Sequence, residues 1–149
     1  MNMKIGSESK FVQIKILKRS YPESDDDSDI DWLDGEVKVV VPGFQALYKT
    51  YLRTDDLLYF YESLRIATID QGATIEFNTI EEGLYLIGTK QTTGQILWEG
   101  IANVGRPKNQ LKFTVESDSQ LIDHLINDVN KIRDQYPILG KSKTNIQPE

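Results

Sequence analysis

Five carboxylates in the stretch "ESDDDSDIDWLDGEV" (residues 23–37) stand at the spacing of a calcium-binding loop. With Asp25 at position one, Asp27, Asp29, Asp31 and Glu36 fall at positions three, five, seven and twelve. Acids alternating along a tight loop can bring several hard oxygens onto one cation. Position six, however, must turn sharply and needs glycine, and here it is Ile30. The flanking residues also read as strands where such a loop needs helices. Two other readings suit the same run. It is a solvated connection, as most charge runs are, or a surface that draws in a basic partner, since clustered acids raise association rates. Trp32 beside Leu33 bears on the choice. The pair either docks the loop end onto the core or offers an aromatic anchor inside an acidic rim. The candidate partner-binding residues are therefore Asp25, Asp26, Asp27, Asp29, Asp31, Trp32 and Asp34.

Catalytic chemistry finds few residues to use. The single histidine, His124, lies in a helical stretch between an apolar stripe and a polar face, the usual place of a boundary residue. There is no cysteine, hence no thiolate metal site, no disulfide and no cysteine nucleophile. No G-x-S-x-G elbow occurs, and "GTKQTTGQ" lacks the order of a phosphate-binding loop and reads as a hairpin turn. The pairs Glu81-Glu82 and Asp55-Asp56 are adjacent in sequence, so they sit on a turn and a helix start and do not converge. Tyr48, Tyr51, Tyr59, Tyr61 and Tyr85 read as core and core-edge residues. Neither a cofactor nor a metal is expected.

The charge distribution narrows the partners. The formal net charge is −6. Glu23, Asp25, Asp26, Asp27, Asp29, Asp31, Asp34 and Glu36 lie together with no lysine or arginine among them, and the rest of the chain is slightly basic. Such a surface repels a phosphate backbone, so direct nucleic-acid binding there is not expected. No apolar run approaches the roughly 20 residues of a membrane span, and "MNMKIGSESK" lacks the apolar core of a secretory signal. Together with the absence of cysteine this predicts a cytoplasmic protein.

These residues must be positioned by an α+β framework. In "KFVQIKILKRS" (10–20) the period of two turns Val12, Ile14 and Ile16 to one side, as in a strand. The acidic connection (21–34) follows. "GEVKVVVPGFQALYKTYL" (35–52) reads as one long strand bent at Pro42-Gly43, or as two short ones. In "RTDDLLYFYESLRIA" (53–67) Leu57, Phe60, Tyr61 and Leu64 recur at helical spacing behind a Thr54 N-cap. Four strands at 73–80, 83–90, 95–104 and 109–116 are separated by turn residues. A last helix spans 116–137, with Ser117 and Gln120 at capping-box spacing, an apolar stripe of Leu121, Leu125, Ile126, Val129 and Ile132, and a stop at Tyr136-Pro137. No internal repeat is visible. The expectation is one domain over 1–139 and a flexible polar tail over 140–149. The sheet is expected to be antiparallel and strongly curved, of about six strands, with one helix between strands two and three and the C-terminal helix packed on one face.

The segments "DIDWLDGEVKVVVPGFQALYKTYLRTDDLLYFYESL" and "GQILWEGIANVGRPKNQLKFTVESDSQLIDHLINDVNKIRDQYP" resemble the WapI-type immunity proteins, cytoplasmic antitoxins of bacterial polymorphic and contact-dependent toxin systems. The D-W-L opening into a long strand, "TDDLLYFYESL", "GQILWEG" and "LKFTVESDSQLIDHLI" carry the likeness, which extends over residues 29–137. The resemblance implies a non-enzymatic protein that binds and neutralises a cognate toxin domain, in many such systems a nuclease with a basic active-site face. It supplies no shared catalytic residues. The alternative is a small ligand-binding or scaffold module whose curved sheet holds a pocket lined by Phe77, Tyr85, Ile87 and Trp98.

Overall fold

The computed structural model describes residues 1–140. Its strands are β1 (Asn2–Gly6), β2 (Phe11–Arg19), β3 (Trp32–Val41) and β4 (Phe44–Arg53), then, after helix α1 (Thr54–Ile69), β5 (Ile75–Asn78), β6 (Leu84–Lys90), β7 (Gln95–Val104) and β8 (Asn109–Asp118); helix α2 (Leu121–Gln135) closes the fold. The strands form two four-stranded antiparallel sheets, β1-β2-β3-β4 and β5-β6-β7-β8.

This corrects the expected single curved sheet of about six strands with a helix between strands two and three. Two local features account for the difference. Pro42-Gly43 is a two-residue turn, with Val41 paired to Phe44 and Gly43 at φ 83°, so residues 32–53 make a complete hairpin. The N-terminal "NMKIG" pairs with β2 and buries only Met3 and Ile5, too short an apolar signal to stand out. With both strands counted, the chain runs ββββα twice, a repeat of topology that no sequence repeat announces.

Inward positions follow the pleat. Val12, Ile14 and Ile16 of β2, Leu33, Val37 and Val39 of β3, and Leu84 and Leu86 of β6 are all buried. Gly88 and Gly100 lie opposite Trp98 and Phe113, whose rings cover them. A Cβ on Gly88 would stand 2.9 Å from the Trp98 ring, so only glycine lets the aromatic lie flat on the strand.

Each helix reaches across to the first strand of the other sheet. α1 packs on β5, α2 on β1, and the helices touch each other. The Phe60 and Phe77 rings meet edge to face, 5.1 Å apart, at the α1–β5 contact. A single cluster of buried side chains draws on both sheets and both helices. The pleat also separates the residues of the alternative pocket. Phe77 and Trp98 are buried inward, while Tyr85 and Ile87 occupy the outer face of the same sheet, so the four line no common cavity.

The helix starts differ from the capping residues expected. The N-cap of α1 is Arg53, whose N–H donates to the Asp56 carboxylate at 2.8 Å, while Thr54 is the first helical residue. Ser117 lies within β8 and accepts the Trp98 indole N–H at 2.9 Å, leaving Asp118 to receive the Leu121 N–H at 3.2 Å. Among the described residues no helix is long and apolar enough to cross a membrane. The tail expected over 140–149 lies outside the described residues except for Gly140.

Candidate functional site

The acidic connection leaves β2 at Ser20 and re-enters β3 at Trp32. Its neck is closed by the Ser20 N–H donating to the Trp32 carbonyl at 2.9 Å and by the Ser20 hydroxyl donating to Asp34 at 2.6 Å. Within it Asp26 acts as a cap. Its Oδ1 accepts the Ser28 N–H at 2.7 Å, the Ser28 hydroxyl at 2.6 Å and the Asp29 N–H at 3.2 Å. Hydrogen bonds from Ser28, side chain then main chain, hold the Asp26 carboxyl below the usual carboxylate range. One helical turn follows, with the Ile30 N–H donating to the Asp26 carbonyl at 3.0 Å.

Two arginines fasten this turn from beneath. Arg19 Nη1 donates to the Ile30 carbonyl at 2.8 Å, and Arg53 Nη1 donates to the Ser28 carbonyl. Arg53 is itself buried, held by Asp55 at 3.0 Å, with its guanidinium 5.2 Å from the centre of the Trp32 ring. Asp31 completes the attachment. It is fully buried, accepts the Leu139 and Gly140 N–H groups at 2.8 and 2.9 Å, and lies 3.5 Å from Arg19. Its carbonyl accepts the Thr54 N–H at the start of α1 at 3.0 Å.

The candidate residues thus divide into two groups. Asp25, Asp27 and Asp29 are exposed, and among the described residues their carboxylates make no hydrogen bond or ion pair. Trp32 is half-buried at the loop's edge. Asp26, Asp31 and Asp34 are turned to the protein's own groups. Asp34 is bound to Ser20 and lies 4.0 Å from Lys18. Asp31 has no surface for a partner to touch in this conformation. The calcium arrangement is not assembled. Glu36 belongs to β3, opposite Lys15 and Lys49, and among the described residues no three of His, Cys, Asp or Glu come together in a set that could hold an ion. His124 is exposed on α2.

Folding also brings residues that the sequence reading did not assign. Trp32, Asp29, Ser20 and Tyr21 line a groove of about 250 Å3 together with Tyr51 of β4 and Glu81 of the turn before β6. Tyr51 was expected at the edge of the core, but it is 53% exposed. A signal was present. In a strand whose inward residues include Leu52 and Thr50, Tyr51 must face outward. Glu81 could not have been placed, because it arrives from the second ββββα unit. A larger cleft, about 660 Å3, adjoins this groove across Tyr51 and Glu81 and carries Lys49, Arg106 and Lys108.

Beside the helix start, Asp56 is pushed up to about 6, chiefly by burial, against the lowering effect of the Arg53 amide. Burial likewise raises the Tyr48 hydroxyl, which donates to the Gly83 carbonyl at 2.7 Å and ties β4 to the turn carrying Glu81.

No curated protein matches the chain. Among solved structures, a chain titled "Crystal structures of trypanosoma bruciei MRP1/MRP2" is similar to it, with 9% identity, a TM-score of 0.49, and coverage of 92% of this chain and 85% of that one. The immunity protein WapI-like family matches residues 3–137, from β1 to the end of α2. That match extends beyond the segments that carried the resemblance and takes in the acidic loop, the groove and both helices. The chain belongs to the immunity protein WapI-like family.

Proposed function

We propose that the protein binds a cognate toxin domain and neutralises it by covering the face the toxin uses on its substrate. Binding is placed on the acidic loop, with Asp25, Asp27 and Asp29 as its charged rim and Trp32 at its edge. Membership of an immunity family supports the role. The observation that carries the choice of surface is the state of these three carboxylates. They stand exposed with no cation of the described chain to offset them, on a loop that Arg19, Arg53 and Asp31 hold in place. Preorganised, unpaired charge is what speeds and orients a basic partner without an ordering cost at the moment of contact.

A toxin with a basic face is the fitting partner, and nucleases are one such class because their sites must attract phosphate. The action is steric and electrostatic, with no bond made or broken by this chain. The place of action is the cytoplasm of the cell that makes the toxin. The test is hydrogen exchange on the complex with the toxin domain encoded beside this gene. Protection should concentrate in residues 21–34 and around Tyr51; protection confined to α1 or to the outer face of β5–β8 would contradict the placement.

A further inference from the structure

We propose that the groove between the acidic loop and the turn before β6 receives the side chain of an arginine from the bound partner. This rests on the toxin-binding reading and names the contact at its centre.

The groove's chemistry is specific. Three aromatic residues, Tyr21, Trp32 and Tyr51, share its lining with two acidic residues, Asp29 and Glu81. Tyr21 and Tyr51 are 54% and 53% exposed, so both keep surface for a partner to cover. Tyr51 and Trp32 stand on paired strands, Tyr51 in register opposite Asp34 and Trp32 opposite Arg53, so the sheet sets where both enter the groove. Glu81 is exposed and makes no ion pair among the described residues. A space of about 250 Å3 is below the roughly 300–1,000 Å3 of small-molecule sites and suits a single long side chain.

Aromatic faces beside carboxylates favour a planar cation that stacks while its edge donates hydrogen bonds. Guanidinium does both and is more weakly hydrated than ammonium. The chain already uses this combination internally, where Arg53 lies against Trp32 and donates to Asp55. The neighbouring cleft differs in charge. It sets Lys49, Arg106 and Lys108 beside Glu81 and Glu82, whereas the smaller groove carries Asp29 and Glu81 with no basic residue in its lining.

The experiment uses the full chain, 15N-labelled, titrated with Nα-acetyl-arginine-methylamide and with its neutral analogue Nα-acetyl-citrulline-methylamide. The chain has two tryptophans, and Trp98 is buried with its N–H given to Ser117, so its indole signal serves as an internal control. The arginine probe should move the Trp32 indole signal saturably and leave Trp98 in place. The citrulline probe should do neither. The Asp29→Asn/Glu81→Gln variant, altered only at exposed side chains, should weaken the probe about tenfold. Equal shifts with citrulline, or unchanged probe affinity in the variant, would overturn the proposal. A second arm separates it from the broader reading. Glu81→Gln/Tyr51→Ala should lower toxin affinity at least tenfold; full-strength toxin binding by this variant overturns the arginine site. Loss of binding in that variant, with none in Asp25→Asn/Asp27→Asn, keeps the arginine site and removes the Asp25 and Asp27 rim from the interface.

Discussion

The carboxylate of Asp31 and the main chain of Gly140 are joined by a 2.9 Å hydrogen bond across a separation of 109 residues. Gly140 sits so close that a Cβ there would strike the Asp27 carbonyl and the Asp31 side chain. The acidic loop is therefore seated on the segment that follows α2, and Arg19 ties the same two pieces by donating to the carbonyls of Ile30 and Pro137. A loop that composition suggests is loose is bound to the core at both edges.

Replacing Asp31 should therefore cost stability. Asp31→Ala leaves the buried Gly140 amide, the part-buried Leu139 amide and part of the Arg19 guanidinium without their acceptor. The expected loss is about 3 kcal/mol, read from urea denaturation, with Asp25→Asn as a surface control that changes it by less than about 0.5 kcal/mol.

Asp26 should act locally. Asp26→Ala removes the cap on the turn at Ser28 and Asp29 and should loosen that turn without unfolding the domain. Amide exchange at residues 28–30 should accelerate while exchange in β7 stays as it was. Because the Asp26 carboxyl titrates below its ordinary value, its contribution is present above that value and fades as pH falls through the lowered one.

Asp56 gives the opposite pH signature. Its carboxyl rises from the ordinary 3.8 to about 6, so between those values the folded protein holds a proton that the unfolded chain has released. Its contribution is complete below 3.8 and is lost as pH rises through about 6. Relative to the wild type, Asp56→Asn should remove a decline on the order of 1–2 kcal/mol, after allowance for partial solvent access. Parallel stability curves for the two proteins from pH 4 to 7 would contradict the assignment.

Gly100 should tolerate no side chain. Any Cβ meets the Phe113 ring, which packs directly over the strand. Gly100→Ala should destabilise by about 1–3 kcal/mol, and the thermal midpoint should recover in part when Phe113 is shortened to Leu in the same chain.

Much of the framework could be read from residue order. The alternation of Val12, Ile14 and Ile16 marked a strand, and residues 95–104 were bounded as the structure has them. The helix over 54–69 was visible in the spacing of Leu57, Phe60 and Leu64. Pro42-Gly43 left one bent strand and two short strands equally open, because local chemistry permits both and only the pairing of β4 with β3 decides. Ser117 misled because its spacing to Gln120 imitates a cap while its hydroxyl is engaged by Trp98, nineteen residues earlier. The acidic run showed a similar limit. Composition ranks Asp25 and Asp31 alike, and only the chain folding back at Leu139 and Gly140 turns one inward and leaves the other in water. Glu81 and Tyr51 meet Trp32 through sheet topology, which no local pattern encodes.

The central claim is that exposed carboxylates on a fixed loop recognise a basic toxin face. Its most direct measurement is the affinity of the cognate toxin domain for wild type and for Asp25→Asn/Asp27→Asn/Asp29→Asn, at low salt and at about 0.5 M salt, where exposed charges are screened beyond a few ångströms. The account predicts that wild-type association slows steeply with salt, and that the triple variant binds at least tenfold more weakly at low salt and loses most of that dependence. Equal affinity of the two proteins at low salt, with the variant still fully folded, would contradict it.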